Sequence, residues 1–255
     1  MKAVEIQQRR EKILSLLKQQ QKITVQSLVE LLNVSDETIR KDLAILTEQG
    51  MIKKSYGVAE LIPTTPVIPV GYRDKKEADA KSAIAKKALS LIKPTMRTIG
   101  LDQGSTIAKL AEYIKELHHK TIITRSLPSL IALKDGDNEF FTPGGYYNAN
   151  DMSFQGQGED NTLANIHLDI SFFGSSGLKS RHGICSSSFT DAEFKKQMNL
   201  QSSISVALID HTKFTQTSLV MVLPWTEFDL LITDDQTPEN IIDDLKKQVE
   251  VIVAN

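Results

Sequence analysis

The sequence predicts an α/β protein in two unequal parts. A small helical unit with a β-hairpin precedes a larger unit built on a mostly parallel sheet. Three observations carry this. Before residue 50, apolar residues recur at helical spacing in three short segments. Pro63, Pro66 and Pro69 then forbid a helix and favour an extended connection. Beyond it, apolar runs without polar alternation (LDISFFG, ISVALID, DLLITD) are separated by helical patterns. Such strands are buried on both faces.

The chain has 255 residues, which at ~150 residues per domain fits one large domain plus a small one. Its 40% hydrophobic and 24% charged residues exclude disorder and collagen. One cysteine excludes a disulfide framework and a thiolate zinc cluster, and the five histidines are scattered, so no metal site is expected. No stretch approaches the ~18 apolar residues of a membrane span. The start, MKAVEIQQRREKILSLLKQ, is charged and amphipathic rather than a signal peptide, so a cytoplasmic protein is expected. The net charge of -2 hides a division: residues 1–60 hold 10 Lys+Arg against 8 Asp+Glu, and the rest hold 20 against 24.

The expected first unit is residues 1–58. Ile6, Ile13, Leu14, Leu16 and Leu17 give the first helix an apolar stripe. Thr24 caps a second helix, in which Val25, Leu28, Val29 and Leu32 recur. Asn33-Val34 forms the break. Ser35 caps a third helix with Ile39, Leu43 and Leu46 inward, and Asp36 and Glu37 suit its first turn. Gly50 ends it. MIKKS and YGVAE read as a two-stranded wing. Two helices joined by a short turn form a helix-turn-helix, so this unit reads as a winged helix-turn-helix. Its third helix would enter a DNA major groove near its N-terminal end. Thr38, Arg40 and Lys41 are placed there to meet phosphates and base edges. Arg9, with Arg10 and Lys12, offers phosphate contacts from the first helix, and Lys53 and Lys54 sit on the wing. The plainer alternative is a solvated basic face.

Residues 59–74 are the expected linker and 75–255 the second unit. KEADAKSAIAKKALSLI reads as its first helix. RTIGL reads as a strand, followed by Asp102-Gln103-Gly104-Ser105-Thr106 and a helix. A glycine, two hydroxyls and a helix start suit a phosphate, with Asp102 better suited to sugar hydroxyls. The plainer alternative is a capped helix. The loop matches neither a Walker A sequence nor a dinucleotide fingerprint, so no cofactor is expected. TIIT is a strand and SLPSLIAL a helix. Thr190 and Glu193 match a capping box. Thr237-Pro238 opens a last helix with proline at its first position, and VEVIV closes the chain. Further polar groups fall at strand ends: Thr124-Arg125-Ser126, Gly174 with Gly177, and Asp210 to Lys213. Ligands gather at the carboxyl ends of parallel strands.

Val34-Ser35-Asp36-Glu37-Thr38-Ile39-Arg40-Lys41-Asp42-Leu43, followed by Gly50, resembles the DNA-binding domain of DeoR-family transcriptional regulators. Where that family usually has His-Gly-Gly-Ala on its wing, this chain has Tyr56-Gly57-Val58-Ala59. From about Lys75 to Asp235 the chain resembles the family's sensor domain, itself similar in fold to ribose-5-phosphate isomerase and sugar-phosphate deaminases. The landmarks are Asp102 to Thr106, Gly144-Gly145, Phe173-Gly174 with Gly177-Leu178, Asp210 with Lys213-Phe214, and Ile232-Thr233-Asp234. The resemblance implies DNA contacts from Ser35, Thr38, Arg40 and Lys41. It implies an effector phosphate near Gly104, Ser105, Thr106 and Lys213, and the sugar near Asp102 and Gly174. Thr124-Arg125-Ser126 stands where a Thr-Asn-Ser-like triad is common, and Arg125 there is a candidate for a second phosphate or a carboxylate.

The expected function is a repressor of a carbohydrate-utilisation operon. It would bind double-stranded operator DNA as a homodimer or larger homo-oligomer, under control of a phosphorylated sugar, without catalytic residues. The alternative is a sugar-phosphate isomerase or deaminase with a fused DNA-binding module, using Asp102, Asp210, His182 or His211.

Overall fold

The computed structural model describes residues 3–20, 22–48, 52–55, 57–61, 77–149, 151–156 and 163–255. The chain divides into two compact units, residues 1–66 and 67–255.

In the first unit, α1 (Ala3–Gln20) is followed by β1 (Lys22–Thr24), α2 (Val25–Leu32) and α3 (Asp36–Glu48), then β2 (Ile52–Ser55) and β3 (Val58–Leu61). The helices start where the caps predict. Thr24 Oγ1 accepts the Ser27 amide at 3.1 Å, and Ser35 Oγ accepts the Thr38 amide at 3.3 Å. Asn33, with φ 51, ends α2 in the left-handed region that Asn tolerates. Ile13, Leu17, Leu28, Ile39, Leu43 and Leu46 are fully buried, each worth about 1.5–3 kcal/mol. The wing is larger than the sequence suggests. β1 pairs antiparallel with β3, giving a three-stranded sheet of order β1-β3-β2. β3 is thus the central strand, it runs through Leu61, and Ala59 is buried beneath it. The expected boundary at residue 58 therefore cuts a paired strand, and the first unit extends past it. Gly50, Tyr56 and residues 62–76, with most of the expected linker, lie outside the described residues.

The second unit carries α4 (Ala78–Leu89), β4 (Thr98–Leu101), α5 (Ser105–Ile114), β5 (Thr121–Thr124), α6 (Leu127–Leu133) and β6 (Glu139–Phe141). A hairpin of β7 (Tyr146–Asn148) and β8 (Ser153–Gln155) follows, then β9 (Ile170–Phe173), β10 (Gly183–Ser186) and α7 (Phe189–Leu200). β11 (Ser205–Ile209), a 3-10 turn (His211–Thr215), β12 (Val220–Pro224), β13 (Leu230–Asp234), α8 (Glu239–Leu245) and β14 (Glu250–Ala254) complete it. Seven strands form one sheet of order β14-β13-β11-β9-β4-β5-β6. Every pairing in it is parallel.

Alternation along the strands divides the core. Ile99, Leu101, Phe172, Val206, Leu208 and Ile232 face α4 and α5, whose Ile84, Ala88, Ile107 and Leu110 complete that layer. Phe173, Ala207, Ile209 and Leu231 face the other way, onto Phe194 and Met198 of α7, Trp225 and Phe228. The antiparallel pair of β10 and β12, absent from the sequence reading, belongs to that second layer.

Two helix starts differ by a few residues from expectation. Ser188, not Thr190, caps α7, since its extended backbone lets Oγ accept the Asp191 amide at 3.1 Å. Pro238, with ψ 137, stands just before α8 rather than inside its first turn.

Candidate DNA-reading and effector sites

On α3 the apolar stripe faces inward and leaves a charged outer face. Arg40 reaches back one turn to Asp36, and Lys41 Nζ lies 2.8 Å from Glu37 Oε1. These pairs raise both cations' pKa values and lower that of Glu37, chiefly through hydrogen bonding. All four side chains are at least half exposed. Exposed i,i+4 pairs are weak, so phosphates or base edges can take over these cations. Ser35 Oγ and Thr38 Oγ1 are 2.8 Å apart at the helix start, which sets both hydroxyls in one place. Lys53 and Lys54 are exposed on β2. Replacing Arg40 with alanine is expected to weaken operator binding about tenfold and flatten its salt dependence, read by fluorescence anisotropy at several salt concentrations.

Asp42 faces the other way. It is 2% exposed and accepts from Arg9 Nε at 2.6 Å and Arg10 Nε at 2.8 Å. Two arginines of α1 thus hold the reading helix from behind.

In the second unit, a cleft opens at the carboxyl ends of β4, β9 and β11, three neighbouring strands. Gly104, with φ +124, turns the chain from β4 into α5. That conformation suits glycine. Ser105 and Thr106, both buried, begin the helix and line the cleft. Its first amides and positive dipole end face the same space. Lys213 enters from the 3-10 turn after β11, whose start is capped by Asp210 accepting the Thr212 amide at 3.1 Å. Gly174 closes the middle, its amide donating to Asp102 Oδ2 at 2.8 Å.

Asp151, Asp191 and Lys195 also line this cleft. Lys195 is 2% exposed and its ammonium binds Asp102, with Asp191 at 3.6 Å and the Gly174 carbonyl at 3.4 Å. Burial pushes the Asp102 carboxyl up, to about 6, against the pull of Lys195. Burial opposes charge on Lys195, but Asp102 and Asp191 outweigh it and raise its pKa. Burial also raises Asp151, to which Ser153, Gln103 and Gln155 donate hydrogen bonds. The cleft encloses about 30 Å³, a water-sized space as the side chains stand.

Residues 9–65 match the DeoR-like helix-turn-helix domain, and residues 76–235 match the DeoR C terminal sensor domain. The chain belongs to the DeoR family. It is similar to the HTH-type transcriptional regulator GolR of Listeria innocua, 36% identical over 232 residues, covering 90% of this chain and 91% of that one. It is also 30% identical over 252 residues to a putative aga operon transcriptional repressor of Escherichia coli O157:H7, covering 97% and 93%. A ribose 5-phosphate isomerase of Methanocaldococcus jannaschii aligns with a TM-score of 0.40 at 21% identity, covering 54% and 55%. This DeoR-family chain is a helix-turn-helix transcriptional regulator with an α/β sensor domain. No helix among its described residues is long and apolar enough to cross a membrane.

The structure of this regulator brings Gly104, Ser105, Thr106, Gly174 and Lys213 together around one cleft. It places Ser35, Thr38, Arg40 and Lys41 at one end of α3, as read from sequence. Four expected site residues stand elsewhere. Arg9 is bound to buried Asp42 rather than presented outward. Asp102 is 1% exposed and lies behind the lining, held by Gly174 and Lys195. Thr124 is fully buried, its hydroxyl accepting the Ser126 amide at 3.1 Å. Arg125 does not line the cleft but packs over the Phe194 ring, 4.0 Å from its centroid, with its carbonyl bound by the Phe154 amide. The β7–β8 hairpin lies against this segment, the Phe154 amide donating to the Arg125 carbonyl and Ser153 pairing with Ser126.

Sequence reasoning missed Lys195, Asp191 and Asp151. A signal existed for the first two. Asp191 and Lys195 sit on the same buried stripe of α7 as Phe194 and Met198. Charges on a buried stripe are rare unless paired.

Proposed function

We propose that this regulator represses a carbohydrate-utilisation operon by binding paired operator half-sites as a homodimer or larger homo-oligomer. A phosphorylated sugar bound in the cleft releases it. One observation carries the effector part: a helix start with two buried hydroxyls and Lys213, converging at the carboxyl ends of adjacent parallel strands. The small enclosed volume supports a conformational cost of binding, which a regulator can use. A family relative whose name is an operon repressor supports the sign. The isomerase alternative rests on Asp102 and Asp210, which here hold Lys195 and the 3-10 turn. We therefore favour regulation over turnover.

The same turn also reaches the start of α4. His211, two residues before Lys213, has Nδ1 2.7 Å from Asp234 and Nε2 3.9 Å from Glu77. Glu77 stands at φ 55 just before α4. Parting the cleft at Lys213 displaces this contact. His211→Gln is expected to leave effector affinity within about threefold while cutting the effector's influence on operator binding, by calorimetry and anisotropy in parallel. An undiminished influence excludes a role for His211 in that coupling.

The function itself is tested by titrating a complex of the protein and an operator selected from random DNA with a panel of sugar monophosphates. At least one is expected to weaken operator affinity about 5–150-fold. Indifference to every phosphosugar that demonstrably occupies the cleft sinks the effector part.

A further inference from the structure

We infer that two copies of this chain meet at the β6 edge of the parallel sheet. β6 pairs antiparallel with β6 of the second copy, about a two-fold axis at Phe140. This rests on the paired half-site reading above and gives the pair its surface.

β6 ends the seven-stranded sheet, with β5 on one side and no described strand on the other. Its outer row of backbone N–H and C=O groups is a template for another strand. Nothing in the strand blunts that template. Glu139-Phe140-Phe141 contains no proline or lysine, and all three residues are exposed. Phe140 lies beside Ile122 and Phe141 beside Ile123, and those two isoleucines belong to opposite core layers. Each face of the edge therefore shows a phenylalanine. Ile131 on α6 and Tyr146 and Tyr147 on β7 are exposed as well. The Tyr147 ring packs on Phe154, 5.8 Å between centroids, and the Tyr146 hydroxyl donates to Gln155 Oε1 at 3.1 Å. Rings held in this way lose little freedom when a partner covers them. The four aromatic side chains expose roughly 350 Å² per copy, approaching half of what each partner gives to a stable interface.

The sequence around β6 suits a second copy of itself. A two-fold axis normal to the sheet keeps every side chain on its own face, so only residues of matching alternation meet. Centred on Phe140, the pairing sets Phe140 opposite Phe140 of the second copy and Glu139 opposite its Phe141. Aromatic pairs across strands are favourable. Centred on Glu139, it would set two glutamates opposite each other, which is destabilising. Centred on Phe141, it would set Glu139 opposite Pro143, which has no amide to donate. Asp135 and Asp137 precede the strand, and uncharged Thr142-Pro143-Gly144-Gly145 follows it. Antiparallel pairing thus lays an acidic stretch beside a neutral one.

The test is sedimentation equilibrium of the full chain and its variants. The unaltered chain is expected to dimerise. Phe140→Lys is expected to weaken the dimer at least tenfold with little change in the urea midpoint, because the side chain is exposed. Leu200→Lys, at an exposed apolar position on α7, is expected to leave the dimer unchanged. Phe140→Cys is expected to cross-link under mild oxidation. Directly opposed residues of an antiparallel pair have Cα atoms ~4.5–5.5 Å apart, within the span of a disulfide. Phe141→Cys, opposite a glutamate, is expected not to cross-link, and the native Cys185 is buried. A dimer of unchanged strength in Phe140→Lys, or one that Phe140→Cys fails to cross-link, overturns this surface and leaves the half-site reading standing. A full chain that stays monomeric on operator DNA overturns both. If Phe140→Lys does not fold, the two cysteine variants decide.

Discussion

Replacing Lys195 with methionine is expected to lower the stability of the sensor unit by about 3–5 kcal/mol at neutral pH and to abolish effector binding. Methionine keeps most of the side chain's length, so the loss is electrostatic. Asp102 and Asp191 are 1% and 7% exposed and share the Lys195 ammonium. Removing one member of a buried pair strands the others' charge, whereas removing both sides can be close to neutral. Lys195→Met combined with Asp102→Asn therefore recovers much of the loss. The pH dependence has a definite sign. Asp102 titrates at about 6 in the folded protein, above its unfolded value near 4, so the folded state holds that proton more tightly. The contribution of Asp102 to stability is full below about pH 4 and falls away as pH rises through about 6. Without Lys195 the folded value climbs further. The variant's deficit is accordingly small at pH 4 and large at pH 8, by urea denaturation at both. A deficit independent of pH contradicts the assignment to stranded carboxylates.

Replacing Asp42 with alanine is expected to cost the DNA-reading unit about 2–3 kcal/mol and with it specific operator binding. Arg9 and Arg10 have side chains only 11% and 22% exposed, and both guanidinium groups turn to this one carboxylate. The pairs cross from α1 to α3, so they fix the angle at which the reading helix is presented. A small domain has little stability to spare. Asp42→Asn keeps a single acceptor oxygen, so one of the two arginine contacts is lost along with the charge. Effector binding by the sensor unit is unchanged in both variants. Operator binding by Asp42→Ala equal to that of the unaltered protein contradicts the clamp.

The elements that sequence revealed were those with strong local signals. α2 and α3 show apolar spacing and side-chain caps, and the strands of the parallel sheet are unbroken apolar runs. The turn proposed for the phosphate was legible because its glycine, hydroxyls and helix start are contiguous. What escaped depends on separation along the chain. Lys195 and Asp102 are 93 residues apart, and Arg9 and Asp42 are 33 apart, so neither partnership has a local signature. The sequence casts Asp102 as a sugar ligand because a carboxylate suits hydroxyls better than a phosphate, and only the approach of α7 shows that it is enclosed. β1 has three residues and gains its identity from pairing with β3. β10 and β12 lie beside serines and a turn that weaken any pattern. Arg125 reads as an anion ligand from sequence, whereas its guanidinium packs on Phe194, a residue distant along the chain.

The central claim is that one phosphosugar and one operator oppose each other through this chain. The most direct measurement is the full thermodynamic cycle. Operator affinity is determined with and without saturating effector, and effector affinity with and without operator. Both factors are expected to exceed about five and to agree with each other, and Ser105→Asp, which sets a carboxylate at the start of α5, is expected to remove both. Operator affinity unchanged at full occupancy of the cleft contradicts it.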